Sequence, residues 1–285
     1  MSTLDRNARR PVAAPSAGPV APPLRKAAGD DYLVFCELFL RLTSIDLGQY
    51  KRGQMERRIR TFAERSGVKD LEKYVGILKS DAGELERFLD RVTINVSQLW
   101  RNPQQWAMLA RDVLPVLAKD GKVKIWSAGS SYGAEAYTLA AVCCEAIPTA
   151  RVEILGTDID KRMVERARKG HFSLDDARDA PSDGMARWFE KKSDGWQAKA
   201  ELQRLVRFEV GDLLRASPPA GAYDLILCRN TVIYFSEDVR DALHERLAGA
   251  LRPGGFLMVG STERVSSPAQ LKLDSCLPFT YRKAA

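Results

Sequence analysis

Histidine is nearly missing from this chain: His171 and His244 are the only two in 285 residues, and they lie far apart. That excludes a His-rich metal cluster, and each histidine reads as a surface or packing residue rather than a catalyst. Cysteine is scarce too. Cys36, Cys143, Cys144, Cys228 and Cys276 are odd in number, form no C-x-x-C pair and sit among apolar neighbours. They read as reduced, packed thiols of a cytosolic protein, not as disulfides or a zinc site. No apolar run approaches the roughly 20 residues that a membrane-spanning helix requires. The N-terminus lacks the apolar core of a secretion signal. Its stretch "RNARRPVAAPSAGPVAPPLRKAA" carries too many prolines for the amphipathic helix of a transit peptide. Residues 1–30 are therefore expected to be a disordered Pro/Ala/Arg-rich leader. No internal repeat is found.

What is present is ordinary in bulk and uneven in detail. A hydrophobic content of 45% with 28% charged residues suits a globular chain long enough for one sizeable core or two modest ones. The net charge of +7 favours an acidic partner: nucleic acid, anionic lipid or a carboxylate-rich protein. Residues 31–95 read as consecutive helices. Met55, Ile59 and Phe62 recur at helical spacing, as do Leu85, Phe88, Leu89 and Val92, and Gly48 and Gly67 fall where C-caps would end helices. In "YKRGQMERRIRTFAERSGVK" the apolar residues can turn inward while Arg57, Arg58, Arg60 and Arg65 cover the outer side. Such a face is either a solvated helix surface or a dock for an acidic helix or a phosphate backbone.

From Lys122 the texture changes to strands alternating with helices, which predicts an α/β fold with a parallel sheet. "KVKIWSA", "RVEILGTDI", "VRFEVGDL", "YDLILCRN" and "GGFLMVGST" are the expected strands. "GAEAYTLAAVCCEAI", "KRMVERARKG" and "SEDVRDALHERLAGAL" are the helices between them, the last stopped by Arg252-Pro253-Gly254-Gly255. "SCLPFTYRK" is expected to close the sheet as a final edge strand. Residues 172–203 carry a weaker pattern and read as an insertion, a candidate small subdomain of its own.

In an open parallel sheet ligands lie over the carboxyl ends of the strands. Those ends collect Gly129 to Gly133, then Asp158, Asp212, Arg229 and Asn230. The turn Gly129-Ser130-Ser131-Tyr132-Gly133 is not G-x-G-x-x-G, and no Gly-Lys-Ser/Thr follows to grip a phosphate. An acid ending the second strand can accept both ribose hydroxyls. Asp158 is placed for that, with Asp160 as a near alternative that would more naturally cap the next helix. S-adenosylmethionine carries an adenosine and an amino acid but no phosphate. Glu135 can face its ammonium, and Arg101 or Arg229 its carboxylate. Together these features suit a class I (Rossmann-like) methyltransferase domain behind a small all-helical N-terminal domain.

A specific resemblance supports this. "DRVTINVSQLWRNPQQWAML", "IWSAGSSYGAEAYTLA", "ILGTDIDKRMVERARKGHF" and "YDLILCRNTVIYFSEDVRDALHERLAGALRPGGFLMVGSTE" resemble, in order, the signature blocks of CheR-type chemotaxis receptor methyltransferases. With "YKRGQMERRIRTFAERSG", which resembles the family's basic N-terminal helix, the blocks span most of Asp31 to Lys283. The resemblance implies a cytoplasmic bacterial enzyme that uses S-adenosylmethionine to methylate glutamates on chemoreceptor signalling helices. It implies residues 31–95 as the substrate-recognition domain and residues 96–285 as the methyltransferase domain. Carried over by position, it puts Asn95, Ser97 and Arg101 on a cofactor-contacting segment and Gly129 and Glu135 in the loop. It puts Asp158 on the ribose, and Asp212, Leu213, Arg229 and Asn230 around the adenosine. Arg101 and Tyr234 match positions near the reacting groups, and Arg57 and Arg58 match the basic helix that holds the receptor. No metal, nucleic acid or membrane insertion is implied, and a monomer is expected.

Five positions depart from the family pattern. Leu99-Trp100 replaces a usual Phe-Phe, Ser97 a Thr, Asp212 an Asn, and Ala134 the first of two glutamates. "FEKKSDGWQAKAEL" lacks the glycine-flanked loop of members that bind a receptor tail, so tail-independent docking is expected. Two rival readings remain open on sequence: a non-catalytic S-adenosylmethionine-binding module, to which Ala134 points, and an RNA methyltransferase. The latter should show a basic stripe interleaved with exposed aromatic rings.

Overall fold

A computed structural model of the chain describes residues 30–92 and 97–285. The expected leader and Asn95 fall outside the described residues, except for Asp30. That aspartate accepts hydrogen bonds from the backbone N–H groups of Tyr32 (3.2 Å) and Leu33 (3.4 Å), capping the first helix.

Four helices come first: α1 (Asp31–Thr43), α2 (Arg52–Arg65), α3 (Leu71–Ser80) and α4 (Ala82–Val92). Their apolar faces converge on Phe88, whose ring meets those of Phe35, Phe39, Phe62 and Tyr74 at centroid distances of 5.3 to 5.9 Å. Edge-on aromatic pairs of this kind add about 0.5–1.5 kcal/mol each beyond area burial. Met55 and Ile59 are buried as the spacing predicts, Ala63 joins them, and Phe62 is half-buried. Gly67, at φ +74°, does follow the end of α2. Gly48 does not end a helix. Helix α1 stops at Thr43 with Ser44 in the left-handed region at φ 64°. Gly48 sits instead in a one-turn 3₁₀ helix, donating its N–H to the Asp46 carboxylate at 3.0 Å.

A helical run not foreseen from the spacing follows the connecting segment: α5 (Pro103–Met108), one widened turn (Leu109–Val113) and α6 (Leu114–Leu117). The main sheet is then built by β1 (Lys122–Ala128), α7 (Ala134–Ala146), β2 (Arg151–Asp158) and α8 (Lys161–Lys169). The insertion contributes β3 (His171–Phe172), α9 (Ser182–Trp188), β4 (Phe189–Lys192), β5 (Gly195–Ala198) and α10 (Ala200–Gln203). Next come β6 (Val206–Val210), β7 (Tyr223–Cys228), α11 (Glu237–Ala250), β8 (Leu251–Val259), β9 (Leu273–Leu277) and β10 (Thr280–Lys283).

The seven-stranded sheet runs β6-β2-β1-β7-β8-β10-β9, parallel from β6 to β8. Two expectations change here. "SCLPFTYRK" is an antiparallel hairpin whose inner strand β10 pairs with β8, so the edge is β9. The Arg252–Gly255 turn lies within β8, where pairing with β7 skips register between Tyr223 and Leu225. The insertion forms a three-stranded antiparallel sheet, β3-β5-β4, fastened to the main core by fully buried Phe172 and Phe189.

The chain winds outward from β1 in both directions, so the strand order reverses between β1 and β7. That reversal opens a crevice at the carboxyl ends of the strands. Residues 128–133, 158 and 229–231 all emerge there.

Candidate active site

The loop after β1 makes the floor. Gly129 (φ +81°) and Ser130 both donate their N–H groups to the Thr157 carbonyl at 2.9 Å. Gly133 (φ +89°) opens α7. A side chain at Gly129 would be strained in φ and would meet Thr231 Oγ1 at 2.6 Å, so this turn requires glycine.

Asp158 ends β2 and is buried. Its Oδ2 accepts the Ser131 N–H at 2.7 Å and its Oδ1 the Asp160 N–H at 2.9 Å. Burial raises its pKa to about 6, against those hydrogen bonds. Each carboxylate oxygen has a second lone-pair site, which leaves one acceptor per oxygen for a ribose diol. Asp160 is used otherwise: it caps α8 through the Arg162 N–H at 3.0 Å and pairs with the Arg162 guanidinium at 2.8 Å.

Glu135, in the first turn of α7, accepts from Ser127 Oγ at 2.7 Å and faces Arg229 Nη1 at 3.3 Å. Burial raises the Glu135 pKa and lowers that of Arg229, while each charge steadies the other. Arg229 also donates to Gln105 Oε1, Asn102 Oδ1 and the Arg101 carbonyl, at 2.7, 3.1 and 2.9 Å, and lies 4.9 Å over the Trp106 ring. Its guanidinium is therefore largely committed to holding its surroundings.

Arg101 is held by its backbone. Its neighbours Trp100 (φ 53°) and Asn102 (φ 59°) are both left-handed, and its carbonyl also accepts the Trp106 indole N–H at 2.9 Å. For a bulky residue such as Trp100 this conformation is costly, on the order of 1–3 kcal/mol, and survives only where packing imposes it. Leu99 and Trp100 supply that packing. Leu99 is fully buried, and Trp100 sits edge-on to Phe189 at 6.0 Å.

Ser97, Arg101, Gly129, Glu135, Asp158, Asp212, Leu213, Arg229, Asn230 and Tyr234 all line one cleft of about 1080 Å³, open mouth included. Of its other contributors, Ser131 lies in the Gly129–Gly133 turn already collected from the sequence. Ile159 and Thr231 were missed, each one residue from a position singled out. Ile45, Asp46 and Tyr50 come from the helical part; Tyr50 opens the basic stretch, but nothing there pointed its ring to the cleft. Tyr50 also forms an isolated bridge to Phe235. The Lys51 N–H donates to the Tyr234 carbonyl at 2.9 Å and the Ser236 N–H to the Gln49 carbonyl at 3.1 Å. Burial raises the Tyr50 pKa, with the Asp212, Asp158 and Asp46 charges adding to it. Among the described residues no lysine lines this cleft. The set offers carboxylates to a diol and an ammonium and Arg101 to a carboxylate, which fits S-adenosylmethionine and not a nucleotide phosphate.

The family description "CheR methyltransferase, SAM binding domain" matches residues 95–277, and "CheR methyltransferase, all-alpha domain" matches residues 30–93. The chain belongs to the CheR methyltransferase family. A chemotaxis protein methyltransferase of Listeria innocua is 34% identical over 255 residues, covering 89% of this chain and 97% of its own. Chemotaxis protein methyltransferase 1 of Pseudomonas aeruginosa is 30% identical over 270 residues, covering 90% and 98%. The chain is thus an S-adenosylmethionine-dependent methyltransferase with a class I domain behind an all-helical one.

The departures from the CheR pattern find physical explanations. Leu99 and Trp100 are packing residues, so their replacement of Phe-Phe keeps an apolar anchor. Ala134 is fully buried and does not line the cleft, whose α7 carboxylate is Glu135. On α2, Arg57 is exposed, whereas Arg58 is half-buried and donates to the Arg91 carbonyl at 3.1 Å. Arg58 shares a small depression with Tyr50, Lys51, Gln54, Met55 and Tyr234. Among the described residues no helix is long and apolar enough to cross a membrane, and no aromatic ring is exposed.

Proposed function

We propose that this chain transfers the methyl group of S-adenosylmethionine to glutamate side chains on chemoreceptor signalling helices, acting as a cytoplasmic monomer. One observation carries the reading. Tyr234 lines both the cofactor cleft and the depression under Arg58, so the cleft opens against the basic face of α2. An acidic receptor helix lying on Arg57 and Arg58 would bring a glutamate to Tyr234 and Arg101. The names of the Listeria and Pseudomonas relatives agree with a chemotaxis substrate.

When bound, S-adenosylmethionine supplies an electrophilic methyl group on a sulfonium. An ionised glutamate is already a nucleophile, so this chain has no need of a general base. That accords with where its histidines lie: His244 is buried, its pKa lowered by burial to about 4, and His171 bonds Asp194 at the surface. The remaining work is orientation. Asp158 holds the ribose and Glu135 the ammonium, while Arg101 steers the incoming carboxylate. Burial raises the Tyr234 pKa, so its phenol stays protonated and can donate a second hydrogen bond. Sharing the carboxylate between a phenol and an arginine dulls the nucleophile less than one tight ion pair would.

The test is radiolabelled methyl transfer in a lysate containing the native receptors. Label on receptor bands that base releases as methanol supports a glutamyl ester. Base-stable label, or label in RNA, overturns the reading.

A further inference from the structure

The loop that carries Asn230, Thr231 and Tyr234 turns on one residue outside the cleft lining. Glu263 follows β8 and is 3% exposed. Its Oε2 accepts the N–H groups of Asn230 and Gly260, both at 2.7 Å, and its Oε1 accepts the Val232 N–H at 3.1 Å. A single buried carboxylate thus gathers backbone from the end of β8 and from the residues just after β7. Asn230 is left-handed there at φ 58°. A side chain at Gly260 would meet Glu263 Oε2 at 2.5 Å and the Asn230 N at 2.8 Å, so glycine is what lets the three approach. Gln105 ties the same corner from the other side, donating to the Val259 carbonyl at 3.2 Å while accepting from Arg229. Burial favours the protonated form of Glu263, and the N–H groups favour the carboxylate.

We infer that Glu263 is a positioning residue for methyl transfer: its carboxylate holds Asn230 in its left-handed turn and so sets where Tyr234 and Arg229 stand in the cleft. This rests on the reading of the cleft as the methyl-transfer site. Glutamine can keep the acceptor facing Asn230 and Gly260, but it turns an NH₂ toward the Val232 N–H. Alanine leaves all three donors without an acceptor.

The full chain carrying Glu263→Gln or Glu263→Ala is compared with wild type in three measurements. These are S-adenosylhomocysteine affinity and stoichiometry by calorimetry, turnover per cofactor-binding site, and Tm. Glu84→Gln serves as a control for lost stability. Glu84 is also buried, accepting from Ser66 Oγ at 2.6 Å and Tyr74 at 2.9 Å within the helical part. The expected result is turnover per site reduced about tenfold or more in Glu263→Ala, with Glu263→Gln between it and wild type. Glu84→Gln should lower Tm and leave cofactor affinity unchanged. Glu263 variants that lose Tm but keep wild-type turnover per site overturn the inference. If wild type itself fails to methylate receptor, the functional reading is at fault, and the inference then stands or falls on cofactor affinity. Weaker binding than Glu84→Gln at matched Tm loss upholds it, and equal binding ends it.

Discussion

Arg229 Nη1 and Glu135 Oε2 stand 3.3 Å apart, with the two side chains only 2% and 11% exposed. A charge pair this deep gains little over an apolar substitute, but losing one partner leaves the other uncompensated. Arg229→Met should therefore destabilise the chain by about 3–5 kcal/mol. Chemical denaturation reads this directly. Adding Glu135→Gln should recover part of the loss, because the stranded charge is gone. A loss below 1 kcal/mol for the single variant would show that water already reaches the pair.

Cofactor binding should depend on pH through Asp158. Burial holds its pKa near 6 in the free protein, against the N–H groups of Asp160 and Ser131. Ribose hydroxyls donate to the ionised form, so binding lowers this pKa and releases protons wherever the free carboxyl is protonated. Affinity for S-adenosylhomocysteine should be flat above pH 6 and fall below it, by at most about tenfold per pH unit. Asp158→Asn should cost about 1–3 kcal/mol of affinity and flatten the profile. A variant that binds as wild type does would remove Asp158 from the ribose.

Arg101→Lys tests the orientation role. A lysine keeps the charge but not the planar fork. Turnover should fall by about 10²-fold or more, as for a misplaced reacting group, with a smaller loss of cofactor affinity. The carbonyl bonds to Arg229 and Trp106 belong to the backbone and survive the substitution, and Tm on the same preparation separates lost turnover from lost folding. Near-normal turnover would end the catalytic assignment.

Reversing Arg57 and Arg58 to Glu should weaken receptor methylation at low substrate and spare S-adenosylhomocysteine affinity. Added salt should slow the wild type in the same regime, because the attraction is long-ranged and screened. A double mutant that methylates receptor as fast as wild type returns this face to plain solvated surface.

The alternation after Lys122 and the glycine turn at Gly129 were legible because strand and helix periods and φ constraints are local. Asp158 and Asp160 could be told apart by helix capping, again a local rule. What stayed hidden depends on distant partners. Gly48 looked like a helix end because glycine often is one, and Asp46 had claimed its N–H for a different turn. Trp100 read only as a departure from the family's Phe-Phe, and its packing against Phe189 and Gly184 of the insertion was hidden. Glu263 and Tyr50 lie inside stretches the sequence singled out, yet nothing there announced their roles, which come from backbone groups and rings that only the folded chain brings near.

The short bridge joining Gln49–Lys51 to Tyr234–Ser236 bears on how such a chain can be recombined. The helical part is not an interchangeable docking module in front of a self-sufficient catalyst. It donates Ile45, Asp46 and Tyr50 to the cleft wall and pairs with the backbone of Tyr234. A chimera with a foreign docking unit, cut anywhere after Lys51, would discard one wall of its own cleft. To preserve that wall the splice must fall before Ile45 or carry residues 45–51 across intact.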